Sequence, residues 1–196
     1  MTGSHMSQRS WILVGLVLSA AAPVRATLAQ TVGHASRAAL SSALAKQNAM
    51  REEKGPDSVT LSADEMASLV ESNLDRAARR ALDSIKVRLD PGRLTLLALL
   101  VTSELGTDYL GPLAYLLSPL EPMAVAGPAR ATKAGLITWQ PDSLVIKSFD
   151  FPQSAIPRLV NRLTGTTDGS IPIAVPPTVR RIRIMSNGVT FSRRTG

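Results

Sequence analysis

The sequence contains no cysteine, which removes disulfides, redox motifs, thiolate metal sites and the acylated cysteine of a surface lipoprotein. Histidine is nearly as scarce. His34 has no Asp, Glu or second His at ligand spacing, so it reads as a surface residue and cannot readily serve a triad. There is no GxSxG elbow, SxxK pair, HExxH, Walker loop or GxGxxG after a strand. Carboxylates do not cluster either. Asp142 falls in a turn and Asp150 at a strand end, where turn hydrogen bonding or solvation accounts for both. No enzymatic activity, no metal and no cofactor are therefore expected.

A membrane-spanning run is missing too. The apolar stretch at 11–22, WILVGLVLSAAA, falls short of the roughly 20 residues that cross a bilayer. Arg9 precedes it, and small residues with Pro23 follow, the pattern of a secretory signal peptide with cleavage after Ala26 or Ala29. A retained anchor is the alternative. Residues 1–5 read as a cloning scar, so the expected organisation is a signal peptide at 1–29, an Ala-rich helical leader or linker at 30–57 and one domain at 58–196. The expected location is exported: periplasmic, cell envelope or secreted.

What remains is ample for a core, since the chain has 196 residues of which 44% are hydrophobic. Its net charge of +7 falls to +5 without residues 1–29, which hold Arg9, Arg25 and no acid. The tail accounts for that remainder: from 178 onward five arginines stand with no Asp or Glu. In an exported protein such a patch points to anionic lipid headgroups rather than nucleic acid.

Along the chain, Ser62 and Glu65 have capping-box spacing at the start of a helix. Met66, Leu69, Val70, Leu74, Ala77, Ala78, Ala81 and Leu82 form its apolar side, while acids open it and arginines close it. Ile85, Val87 and Leu89 alternate with Lys86 and Arg88 as a half-buried strand, and 90–93, DPGR, is a turn. The return strand at 94–102 has almost no polar face, so either both faces are covered or one lines an apolar cavity. Between 104 and 122 the chain is rich in Leu, Tyr and Pro: a lid over an apolar ligand, or a helical insert that completes the core.

A third strand follows from Met123, with a bulge or edge at Gly127 and Pro128. Residues 135–149 are read as a hairpin turning at Pro141 and Asp142, and Ile156, Leu159, Val160 and Leu163 as a short helix. Residues 171–177 are extended and proline-rich, at an edge. In the last hairpin Asn187 and Gly188 supply a type I′ turn, with Ile182, Ile184 and Phe191 on one side and arginines on the other. That basic side is either a solvated face or a headgroup site.

This order of elements, a capped helix, the strand and DPGR turn, the apolar return strand, the 135–149 unit with its helix and a closing hairpin, resembles the YpmS-like and LmeA-like exported proteins. Those families look like small relatives of tubular lipid-binding domains, so the resemblance implies an envelope protein that binds or shields lipid, with no catalytic residues to carry over. It covers roughly residues 59–194. The proline-rich stretch at 104–122 and the Ala-rich leader depart from its plainest form.

The expected fold is α+β, a twisted and mostly antiparallel sheet packed on one long amphipathic helix, with a second short helix. The expected function is non-catalytic binding of a lipid or acyl chain in an apolar groove. Its wall would be Leu96, Leu97, Leu99, Leu100, Tyr109, Leu110, Leu113, Leu116, Leu117 and Met123, with Arg180, Arg181, Arg183 and Arg194 facing headgroups. Expected partners are lipid or an anionic membrane surface, and no nucleic acid. The competing reading is an envelope protein interaction module that pairs a partner strand with the edge at 171–175.

Overall fold

Antiparallel pairing organises this protein, whose computed structural model describes residues 31–105 and 115–193. The expected signal peptide and cloning scar lie outside the described residues. At the centre of the larger sheet β3 (Leu82–Asp90), β4 (Arg93–Val101) and β5 (Leu120–Lys133) form a meander, with β1 (Val32–His34) beside β3. Beyond β5 the sheet divides. β7 (Ser143–Ile146) and then β8 (Phe149–Asp150) continue it along the first half of β5, and β6 (Leu136–Trp139) and then β9 (Ile171–Ala174) along the second. A smaller sheet joins β10 (Arg181–Met185), β11 (Gly188–Ser192) and β2 (Ser58–Leu61). The helices are α1 (Arg37–Ala49), α2 (Ala63–Asn73), α3 (Arg76–Ala81), α4 (Thr102–Leu105) and α5 (Ile156–Thr164). The fold is α+β with mostly antiparallel sheets.

Where one long helix was expected, two short ones form. Ser62 and Glu65 do make the reciprocal capping box of α2, but Leu74 is extended at φ −66°, ψ 137°. Asp75 then accepts the Ala78 N–H at 2.8 Å and starts α3 as a new N-cap. Arg79 completes the break by donating to the carbonyls of Ser72 and Leu74 that α2 leaves over. Leu82 already belongs to β3.

Of the two readings of the Ala-rich leader, helix or loose linker, the structure has the helix, packed on the core. The leader's β1 pairs with β3, and Ala43 of its helix α1 and Met50 just after that helix are completely buried. Lys46 and Ser42 of α1 reach Glu65 of α2 at 2.8 and 2.5 Å. Burial alone would raise the Glu65 carboxyl, yet these two side chains and the Ser62 N–H outweigh it and hold it below the usual glutamate range.

The unit at 135–149 also differs from the expected hairpin. β6 and β7 do not pair with each other; both pair antiparallel with β5, one after the other. The reversal sits earlier, before β6, where Gly135 takes φ 80°. Pro141 and Asp142 form only a joint within one broken strand, and Gly127 of β5 lies against it, because any Cβ there would collide with the Gln140 carbonyl. Trp139 is fully buried and donates its indole N–H to the Gly127 carbonyl at 3.1 Å. Gly127 and Pro128 thus mark where β5 exchanges neighbours, and they do not interrupt it.

The final hairpin keeps its expected faces but turns one residue earlier. Met185 pairs with Gly188 and Ile184 with Val189, so Ser186 and Asn187 form the loop and neither has a positive φ. In this register Ile184, rather than Ser186, stands opposite Val189, and both are buried. Gly188 serves a different need: β2 passes so close that a Cβ would press on the Leu61 carbonyl.

Candidate functional site

Alternation along β4 divides the expected apolar wall between two faces. Leu94, Leu96, Ala98 and Leu100 enter the core and are at most 7% exposed, whereas Leu97, Leu99 and Val101 lie half-buried on the outer face. A polar outer face would have been the ordinary arrangement for a half-solvated sheet.

Across that face, β-ladder partners align Lys86, Leu97, Ala124 and Val145 in one row and Leu99 and Pro122 in the next. Together they line an open trough of about 420 Å³. Two features leave the space. Ala124 is small between Leu97 and Val145, and a bulge between Asp83 and Lys86, where Ser84 takes φ 53°, withdraws one ladder partner from β3.

The trough has a cation on each rim. Lys86 has no ion-pair partner among the described residues, and Lys147, just beyond β7, lies 3.4 Å from Glu121. Glu121 is buried and also accepts the Ser118 N–H at 2.7 Å. That N–H is the main reason its carboxyl is held below the usual range, with Lys147 adding to it. Asp83, opposite Leu99, has its carboxylate turned back onto the Ser84 N–H at 2.6 Å. The surface can hold an apolar body and attract an anionic end; among the described residues the polar side chains lining it are Ser84, Lys86 and Lys147.

Of the other expected wall residues, Met123 lies buried beneath the trough, Leu117 packs against the core and Leu116 is exposed. Tyr109, Leu110 and Leu113 lie outside the described residues, as does Arg194. Arg180, Arg181 and Arg183 are exposed on or beside the small sheet, and none of them lines the trough. The small sheet meets the opposite end of β4, where the Gly92 N–H donates to the Ile184 carbonyl at 3.0 Å. From there to Leu97 is about 17 Å of strand. Arg193 faces inward instead, donating to the carbonyls of Met50, Glu52 and Glu53 after α1.

Ser84, Lys86, Pro122, Ala124, Val145 and Lys147 were not among the expected site residues. The signal for Lys86 was available: alternation sets it opposite Ile85, Val87 and Leu89, and the DPGR turn then fixes its register beside Leu97.

The edge at 171–175 is β9, which ends its branch of the sheet. Val175 donates to Gly135, so by alternation the outward positions are Pro172 and Ala174, and proline has no N–H to offer. Among the described residues no group of three or more His, Cys, Asp or Glu could hold a metal. No described helix is long and apolar enough to cross a membrane. Comparison with protein-family models, curated proteins and solved structures finds no match to this chain.

Proposed function

We propose that this protein is an exported, non-catalytic lipid binder that holds an acyl chain along the outer-face trough, its anionic group toward Lys86 or Lys147. The observation that carries this reading is the placement of Leu97 and Leu99 on a face that alternation would normally make polar, between two cations. The volume of about 420 Å³ falls in the range of small-ligand sites. Each methylene that leaves water contributes about 0.8 kcal/mol, and an open trough collects part of that for every carbon laid in it. The resemblance of the element order to exported lipid-shielding proteins points the same way. Strand addition at β9 has less support, because Pro172 removes a donor from that edge.

Native mass spectrometry of protein purified without detergent from an exporting host tests the proposal. It predicts a co-purifying fatty acid or phospholipid, or uptake of added oleate. A clean mass with no uptake contradicts it.

A further inference from the structure

Three short helices meet where β4 runs out. Arg80 of α3 lies 3.4 Å from Glu104 of α4, and Arg162 of α5 borders the same small cleft with Ala77 and Ala81. On the solvent side of α5, Arg158, Asn161, Arg162 and Gly165 surround a wider hollow. Arg76 and Arg79 extend the positive surface along α3. Among the acids here, Asp75 caps α3, Glu104 faces Arg80, and Glu121 holds Ser118 and Lys147.

An apolar turn is tied to the start of α4, the helix whose Glu104 faces Arg80. The Thr102 hydroxyl donates to the Ser118 carbonyl at 3.0 Å, two residues before Glu104, and the Thr102 N–H donates to the Pro119 carbonyl at 3.0 Å. Leu117 packs against the core. Tyr115 and Leu116 do not, at 86% and 60% exposed, and Leu120 is half exposed. Tyr115 is three chain steps from Ser118, a reach of at most about 11 Å.

A tyrosine and a leucine held in water within reach of an arginine surface match one environment on both counts. The interface of an anionic bilayer accepts amphipathic and apolar tips at headgroup depth and presents phosphates to guanidinium groups. We infer that this end of the molecule docks on an anionic phospholipid surface, with Tyr115 and Leu116 entering the interface and Arg158 and Arg162 facing phosphates. The lipid reading above supplies only the class of ligand. The docking end and the trough use different residues, so either can fail alone.

The test is co-flotation of protein from an exporting host with vesicles of phosphatidylglycerol and phosphatidylcholine, compared with phosphatidylcholine alone. Three variants accompany the wild type: Arg158→Gln with Arg162→Gln, Tyr115→Ser with Leu116→Ser, and Arg181→Ser with Arg183→Ser on the distant hairpin. Thermal melting first establishes that each is folded. The inference expects wild type and the hairpin variant to float on anionic vesicles, and the arginine pair on α5 to partition about thirtyfold more weakly. It also expects the Tyr115 and Leu116 variant to float poorly. Undiminished flotation of both docking-end variants overturns it, as does loss in the hairpin variant alone, equal flotation on both vesicle types, or binding to an oligonucleotide but to no vesicle. Leu97→Glu separates the two readings: it should float normally while losing the bound acyl chain.

Discussion

Glu121 accepts the Ser118 N–H at 2.7 Å from a side chain that is almost wholly buried. The same carboxylate oxygen meets Lys147, so one residue fixes both a rim of the trough and the turn that carries Tyr115 and Leu116. Glu121→Ala should therefore lower the melting temperature and speed proteolysis at 115–119, with cleavage in the small sheet unchanged. Limited proteolysis with mass mapping measures both. Cleavage that rises everywhere equally would assign Glu121 a merely global role.

Glu65 joins α1 to α2 and should set part of the acid limit of stability. Its folded pKa is depressed, so the unfolded chain binds a proton more readily. The contribution is complete above the usual glutamate value of 4.5 and is lost as pH falls through the lower folded value. Glu65→Ala should cost about 2 kcal/mol at neutral pH, less at pH 3, by urea denaturation. A cost that does not shrink with acid would show that the carboxylate charge is not the source.

Gly127→Ala should cost about 1–3 kcal/mol, because the new methyl meets the Gln140 backbone and not a movable side chain. Gly92→Ala serves as the comparison: its Cβ meets nothing, so only the positive φ of 75° opposes it. Equal melting temperatures for the two would mean that the joint at 140–142 can yield.

The two faces of β4 should answer differently to the same truncation. Leu96→Ala removes a core side chain and should cost about 3 kcal/mol. Leu97→Ala, on the half-buried face, should cost much less while weakening acyl binding. Chemical denaturation and fatty-acid titration of both proteins check this pair.

Some parts of the fold were legible from local chemistry. The capping box at Ser62 and Glu65, the turn at Pro91 and Gly92, and the spacing of Ile156, Leu159 and Val160 each depend on neighbours in sequence, and the structure contains them all. Strand partners do not. Nothing local says that β7 pairs with β5 rather than β6, and the choice follows from the close approach at Gly127. Likewise Asp75 could be a surface residue of one helix or the cap of a second, and Arg79 decides it by covering the loose carbonyls. The trough was half legible: the apolar character of 94–102 was evident, but which leucines face out depends on register, and Lys147 arrives from a strand 46 residues beyond Val101.

Titration of a fluorescent anionic fatty acid against wild type, Leu97→Glu and Arg181→Ser with Arg183→Ser asks whether the outer-face trough holds an acyl chain. Wild type and the arginine variant should bind saturably, and Leu97→Glu should lose binding while its melting temperature stays close to wild type. Saturable binding retained by a folded Leu97→Glu protein, or no binding by wild type, would contradict acyl binding in the trough.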